Sequence, residues 1–141
     1  MYLVDTDVIS ETRKGPRANA GVRAFFAGAT ELSEAVYVSV VTIGELRRGV
    51  ELMRHRGDER HAESLGRWLD LVLKEYGERI LDLGVDEAQL WGWMRAPHPE
   101  NPLDKLIAAT ALTHGLKVVT RNVRHLKDTG VEVIDPFVVA A

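Results

Sequence analysis

The 141 residues include no cysteine, so disulfides and thiolate metal sites are excluded and a reducing, cytoplasmic home is expected. Long apolar runs are also missing. None approaches the roughly 18–20 residues that cross a bilayer, and no membrane association is expected. Met1 leads at once into Tyr2-Leu3-Val4, too short for the apolar stretch of a secretory leader. Basic charge is not in excess: 18 Lys and Arg stand against 21 Asp and Glu, for a net charge of −3. The field of the whole molecule therefore does not attract nucleic acid, and any such contact must come from a local basic patch. Internal repeats, Pro- or Gly-rich linkers and low-complexity stretches are absent. What remains is an ordinary mixture, 45% hydrophobic and 28% charged, which argues against disorder. The length fits a single domain over residues 1–141 with one sizeable core.

Short apolar runs alternate with helical periodicities. Tyr2 to Val4 has the character of a buried strand and is followed by a helix from near Asp7. Ala18 to Gly28 fits a second, short helix, and the β-branched run Val36 to Val41 a second strand. Ile43, Leu46, Val50 and Met53 recur at helical spacing. A long helix is expected over Asp58 to Tyr76, with Leu65, Trp68, Leu69, Val72 and Leu73 on its apolar face. Arg79 to Leu83 has strand character, and Asp86 is placed to cap a helix carrying Leu90, Trp91 and Met94. Asn101-Pro102 opens another helix that ends at Gly115. Lys117 to Thr120 and Val131 to Ile134 complete the strands. Such alternation implies right-handed crossovers, hence a three-layer α/β domain with a central, mainly parallel sheet flanked by helices.

Ligands of such sheets bind outside the carboxyl ends of the strands. Asp5, Thr6 and Asp7 follow the first strand there; Thr42 and Glu45 follow the second; Thr120, Arg121 and Asn122 follow a late one. Asp104, in the first turn of the preceding helix, can face the same edge. Carboxylates gathered in one place repel each other unless cations neutralise them. Oxygen-only donors suit Mg²⁺ or Mn²⁺, which activate water and stabilise charge on a phosphodiester.

Each acid also has a purely structural explanation. Thr42-Ile43-Gly44-Glu45 fits a capping box, Asn101-Pro102-Leu103-Asp104 fits a helix start with a dipole-favoured acid, and Asp5 or Asp7 fits a helix cap. Caps predict nothing about an acid directly after a buried strand, however, and they leave the polar turn Thr120-Arg121-Asn122 unexplained.

Four segments resemble a known family. Leu3-Val4-Asp5-Thr6-Asp7-Val8-Ile9-Ser10-Glu11 is similar to the opening of VapC-type PIN-domain toxins, and Val41 to Leu46 to their second motif. Pro102 to Ala111 resembles the third motif and Val118-Val119-Thr120-Arg121-Asn122 the fourth, in family order across nearly the whole chain. The resemblance implies a PIN-like fold and an Mg²⁺- or Mn²⁺-dependent ribonuclease that cleaves RNA by activated water. It also implies neutralisation by a VapB-like antitoxin that inserts a basic side chain among the acids, and a homodimer. By position, Asp5, Glu45 and Asp104 inherit the acidic metal-site roles and Asn122 the outer, fourth one.

The chain departs from the family at three places. Asn122 stands where a carboxylate is frequent, which favours one ion over two, since an amide adds no charge. His125 stands where many relatives carry an acid, and is open to two readings, an exposed surface histidine or a phosphate contact. Asp7, where relatives often have Asn or Ser, is first a helix cap. Arg47 and Arg48 lie within a turn of Glu45, either beside the cleft or on a solvated face. Trp68 and Trp91 follow packing stripes, whereas Trp93 lies off its stripe, as at an interface. Three other readings compete. A non-catalytic protein-binding module on the same fold would keep the acids as caps. A haloacid-dehalogenase-type phosphatase shares the Asp5-Thr6-Asp7-Val8 opening but requires a later lysine and a late acidic pair, for which only Lys127-Asp128 and Asp135 are available. A receiver-like phosphoacceptor domain requires its acidic pair after the first strand and its acceptor on the middle one.

Overall fold

A computed structural model describes residues 1–138. Its elements in chain order are β1 (Tyr2–Val4), α1 (Thr6–Thr12), α2 (Ala20–Glu31), β2 (Val36–Ser39), α3 (Val40–His55), α4 (Glu59–Tyr76), β3 (Ile80–Leu81), α5 (Val85–Arg95), α6 (Pro102–His114), β4 (Lys117–Val119) and β5 (Val133–Ile134). Single 3₁₀ turns occupy Gly15–Arg17, Gly77–Arg79 and Val123–Leu126. The strands form one five-stranded sheet in the order β3-β2-β1-β4-β5, and every pairing is parallel. The expected α/β architecture is therefore present, and the sheet is parallel throughout.

Strand periodicity divides the core into two layers. Val4, Val36, Val38 and Val119 point to one face, where Val8, Ile9, Val22, Leu46, Val50, Leu69 and Val72 of the first four helices cover them. Leu3 and Val118 point to the other, against Met94, Ile107, Ala108 and Ala111 of α5 and α6. Among the described residues, no helix is long and apolar enough to cross a membrane.

Several boundaries differ from expectation, each for a local reason. The second strand stops at Ser39, whose side chain accepts from Val41 N–H at 3.0 Å and starts α3 two residues early. Thr42 and Glu45 thus lie inside that helix, and the expected capping box does not form there. Asn19, accepting from the N–H groups of Gly21 and Val22, moves the start of α2 to Ala20. Asp86 is not the cap of α5. Gly84 takes that place, and Glu87 reaches back to its N–H at 2.9 Å. Asn101 does precede Pro102, but in the left-handed region (φ 52°) and without a side-chain cap bond.

Candidate active site

Chain order reverses across β1: β2 and β3 lie on one side of it, β4 and β5 on the other. The crevice beyond the ends of β1 and β4 is thus the topological switch point of the sheet, where α/β folds bind ligands. Asp5 leaves β1 at this point, and its N–H donates to Val119 O at 2.9 Å.

Asp5 is 5% exposed and held by both oxygens. Oδ1 accepts from Thr6 N–H, capping α1, and Oδ2 accepts from the hydroxyl of fully buried Thr120, each at 2.8 Å. The cap reading of Asp5 is correct but accounts for only one oxygen. Burial pushes its carboxyl above the ordinary range; the Thr120 and Thr6 bonds oppose this, Asp104 raises it further and His125 lowers it.

Glu45 projects from α3, and its Oε1 accepts from Thr6 Oγ1 at 2.8 Å. That hydroxyl also stands 3.2 Å from Thr42 Oγ1, so Thr6 joins the starts of α1 and α3. Burial raises the Glu45 carboxyl first, the Thr6 bond opposes it, and the charges of Asp5 and Asp104 raise it again, with Arg48 pulling the other way. Arg47 pairs with Glu51 at 3.7 Å on the solvated face, whereas the charge of Arg48 acts on Glu45.

Asp104 lies in the first turn of α6, with His125 Nδ1 2.6 Å from its Oδ2. With the carboxylate as acceptor, Nδ1–H is the donor of this bond. His125 is exposed, as one reading of the sequence had it, but its ring is turned onto an acid of the candidate site. Asn122 N–H donates to Thr120 Oγ1 at 3.0 Å, keeping the turn after β4 closed, and its side chain makes no cap bond to the 3₁₀ turn that follows. Asp7 is not the N-cap of α1. It sits in the first turn, and its Oδ2 accepts from Arg121 N–H at 3.0 Å, tying that helix to the same turn. Its Oδ1 is buried without a hydrogen-bond partner. Burial first, then the charge of Asp5, push this carboxyl up to about 6.

The donor set suits a hard cation: buried or half-buried carboxylate oxygens that raise one another's proton affinity, beside an orphaned carboxylate oxygen. The acids do not close into a tight shell. Among the described residues, the His, Asp and Glu ligand atoms that all lie within 4.8 Å of one another belong to a different group, the outlying His98, Glu100 and Asp128. A cation among Asp5, Glu45 and Asp104 would thus keep part of its water, as Mg²⁺ and Mn²⁺ do.

Sequence reasoning placed Thr6 at the sheet edge without its partner Glu45, and missed the burial of Lys105. A threonine after an aspartate carries no signal of a bond to a side chain 39 positions away. Lys105, next to Asp104, is 1% exposed; its ammonium donates to Glu100 O and lies 3.4 Å from Glu100 Oε1, fixing the loop that enters α6. A lysine in a helix ordinarily signals solvent.

The PIN domain family pattern matches residues 2–131. The chain is 32% identical to Toxin FitB of Neisseria gonorrhoeae across 97% of its own length and 99% of that protein's. It is 29% identical to VapC ribonuclease Y4jK of Sinorhizobium fredii, across 97% and 98%. The crystal structure of FitAcB from Neisseria gonorrhoeae superposes with a TM-score of 0.82 at 31% identity, over 99% of this chain and all of that one.

Proposed function

The chain belongs to the PIN domain family, and on that premise we propose that it is a toxin of a toxin–antitoxin pair, hydrolysing RNA phosphodiester bonds with Mg²⁺ or Mn²⁺. One observation carries the reading. Asp5 is buried at the switch point of the sheet, bonded through both oxygens and charge-coupled to Asp104 and Glu45. A pure helix cap needs neither the burial nor the second bond, which disfavours a binding module that keeps its acids only as caps.

The bound cation would supply charge stabilisation on the phosphodiester and an activated water. Asp5 and Asp104 would hold it. Glu45, oriented by Thr6, would accept the hydrogen bond of the attacking water and fix its line of approach. Thr120 keeps Asp5 in one rotamer, and Asn122 closes the turn that carries Thr120. RNA phosphates would meet Arg48 beside Glu45 and the shallow, roughly 200 Å³ pocket lined by Arg121, Asn122, Val123, Arg124 and His125. This local patch answers the unfavourable net charge. An RNA-cleaving toxin would meet its substrate in the cytoplasm.

Two surfaces support the partners. A groove of about 490 Å³ runs between α1, α2 and α4, with Ile9, Val22, Phe26, Trp68, Leu71 and Tyr76 in its walls. An apolar antitoxin segment fits it, with a following basic residue reaching the acids. On α5, Trp93 and Val85 are each 76% exposed and line a second shallow depression, as a homodimer surface would. Sequencing RNA ends after a brief pulse of expression tests the activity. New ends at defined sites are expected with the wild type and not with Asp5→Asn; identical end profiles would reject it.

A further inference from the structure

The acids of the candidate site are not its only donors. His125, on the 3₁₀ turn Val123–Leu126, places its Nδ1 2.6 Å from Asp104 Oδ2. Asp5 also feels its charge. A nitrogen therefore stands within reach of a cation bound at Asp104 Oδ2; among the described residues no third His, Asp or Glu ligand atom lies within 4.8 Å of both, so Asp5 would act on that cation through an intervening water. Adjacent ligands about 2.1 Å from one ion are roughly 3 Å apart. The pair needs to open by only a few tenths of an ångström to admit a cation in place of the shared proton. Nδ1 ligates as the neutral imidazole with its proton on Nε2, and a ring that starts as imidazolium releases one proton to solvent. The turn Val123–Leu126 that carries His125 is anchored by buried Leu126, so the ring is delivered to this place by the core.

Resting on the metal-nuclease reading above, we propose that His125 is a nitrogen ligand of the cation and makes the site select Mn²⁺ over Mg²⁺. Imidazole suits transition metals, whereas Mg²⁺ takes oxygen donors almost alone. Asn122, in the turn after β4, adds a neutral amide and no carboxylate that would favour Mg²⁺.

Pulsed EPR of Mn²⁺ bound to the full chain detects nitrogen in the first coordination shell directly. Nitrogen modulation is expected in the wild type and in His98→Ala, which disables the outlying His98, Glu100 and Asp128 group, and its loss is expected in His125→Asp. In titrations followed by calorimetry, His125→Asp should reduce the preference for Mn²⁺ over Mg²⁺ by a factor of about ten. Bound Mn²⁺ that is released by Asp5→Asn yet shows no nitrogen modulation would overturn the role of His125 and leave the acidic site standing. Mn²⁺ binding indifferent to Asp5→Asn would overturn both. Modulation that survives His125→Asp would assign the nitrogen to another residue and reject the proposal.

Discussion

Asp5 is at once a helix cap, a buried acid and the carboxylate nearest the sheet, and the proposed chemistry depends on its rigidity. Asp5→Asn keeps the shape and the Thr6 bond, reverses the Thr120 bond because an amide nitrogen donates, and removes the charge, so RNA cleavage should fall on the order of 10²-fold or more, and Asp104→Asn should behave alike. Asn122→Ala should cost less, because the backbone N–H of that residue, not its amide, closes on Thr120. An Asn122→Ala variant less active than Asp104→Asn would invert this ranking. Asp7 gives a different kind of test. Its folded pKa of about 6 lies above its ordinary 3.8, so between those values the folded state holds a proton that the unfolded chain has released. This acid therefore opposes folding as pH rises through that window, the reverse of a salt-bridged carboxylate. Asp7→Asn keeps an acceptor for Arg121 N–H and removes the cost of ionisation. In chelator, the melting temperature of Asp7→Asn relative to wild type should climb from the acid end and level off above about pH 6; a difference independent of pH would contradict the assignment.

The elements hold these residues through a few local devices that mutation can isolate. Ser39→Ala removes the cap of α3 and should cost about 1 kcal/mol in denaturant unfolding. Gly21, at the start of α2, leaves no room for a side chain, because a Cβ there would overlap the carbonyl oxygen of Pro136. Next to Pro136, Phe137 lies under the guanidinium of Arg121 at 3.7 Å. Gly21→Ala should displace that segment and destabilise the fold by about 1–3 kcal/mol, and an unchanged unfolding midpoint would show that the segment yields freely. The helices were legible in the sequence because their apolar stripes are long; Leu65, Leu69 and Val72 on α4 leave little choice of period. The strands were less so. Val40 and Val41 carry strand character yet start a helix, because Ser39 caps it and tertiary packing overrides β-propensity. The proposed site residues Asp5, Asp104 and Asn122 stand out in the sequence because each sits at a strand end or helix start, whereas Glu45 stood out through a capping box that does not form. The bonds that fix them, and the burial of Lys105, were not legible there. Thr120 bonds Asp5 across 115 positions of sequence, and Lys105 is buried in a helix where lysine normally signals solvent.

Taken whole, the molecule is a mildly acidic α/β domain whose basic groups near the site are few: Arg48, Arg121 and Arg124. RNA binding should accordingly depend only shallowly on salt, because the slope follows the number of phosphates neutralised. Trp93→Glu should convert a dimer into monomers in sedimentation while leaving the fold intact, and a dimer unaffected by that change would move the interface away from α5. The central claim is a cation-dependent nuclease at Asp5. Its most direct measurement is cleavage of a labelled RNA by purified protein with Mn²⁺, with Mg²⁺ and with chelator, beside Asp5→Asn. Cleavage that requires a divalent ion and vanishes in the variant is the predicted result; cleavage that persists in chelator, or an Asp5→Asn variant as active as wild type, would contradict it.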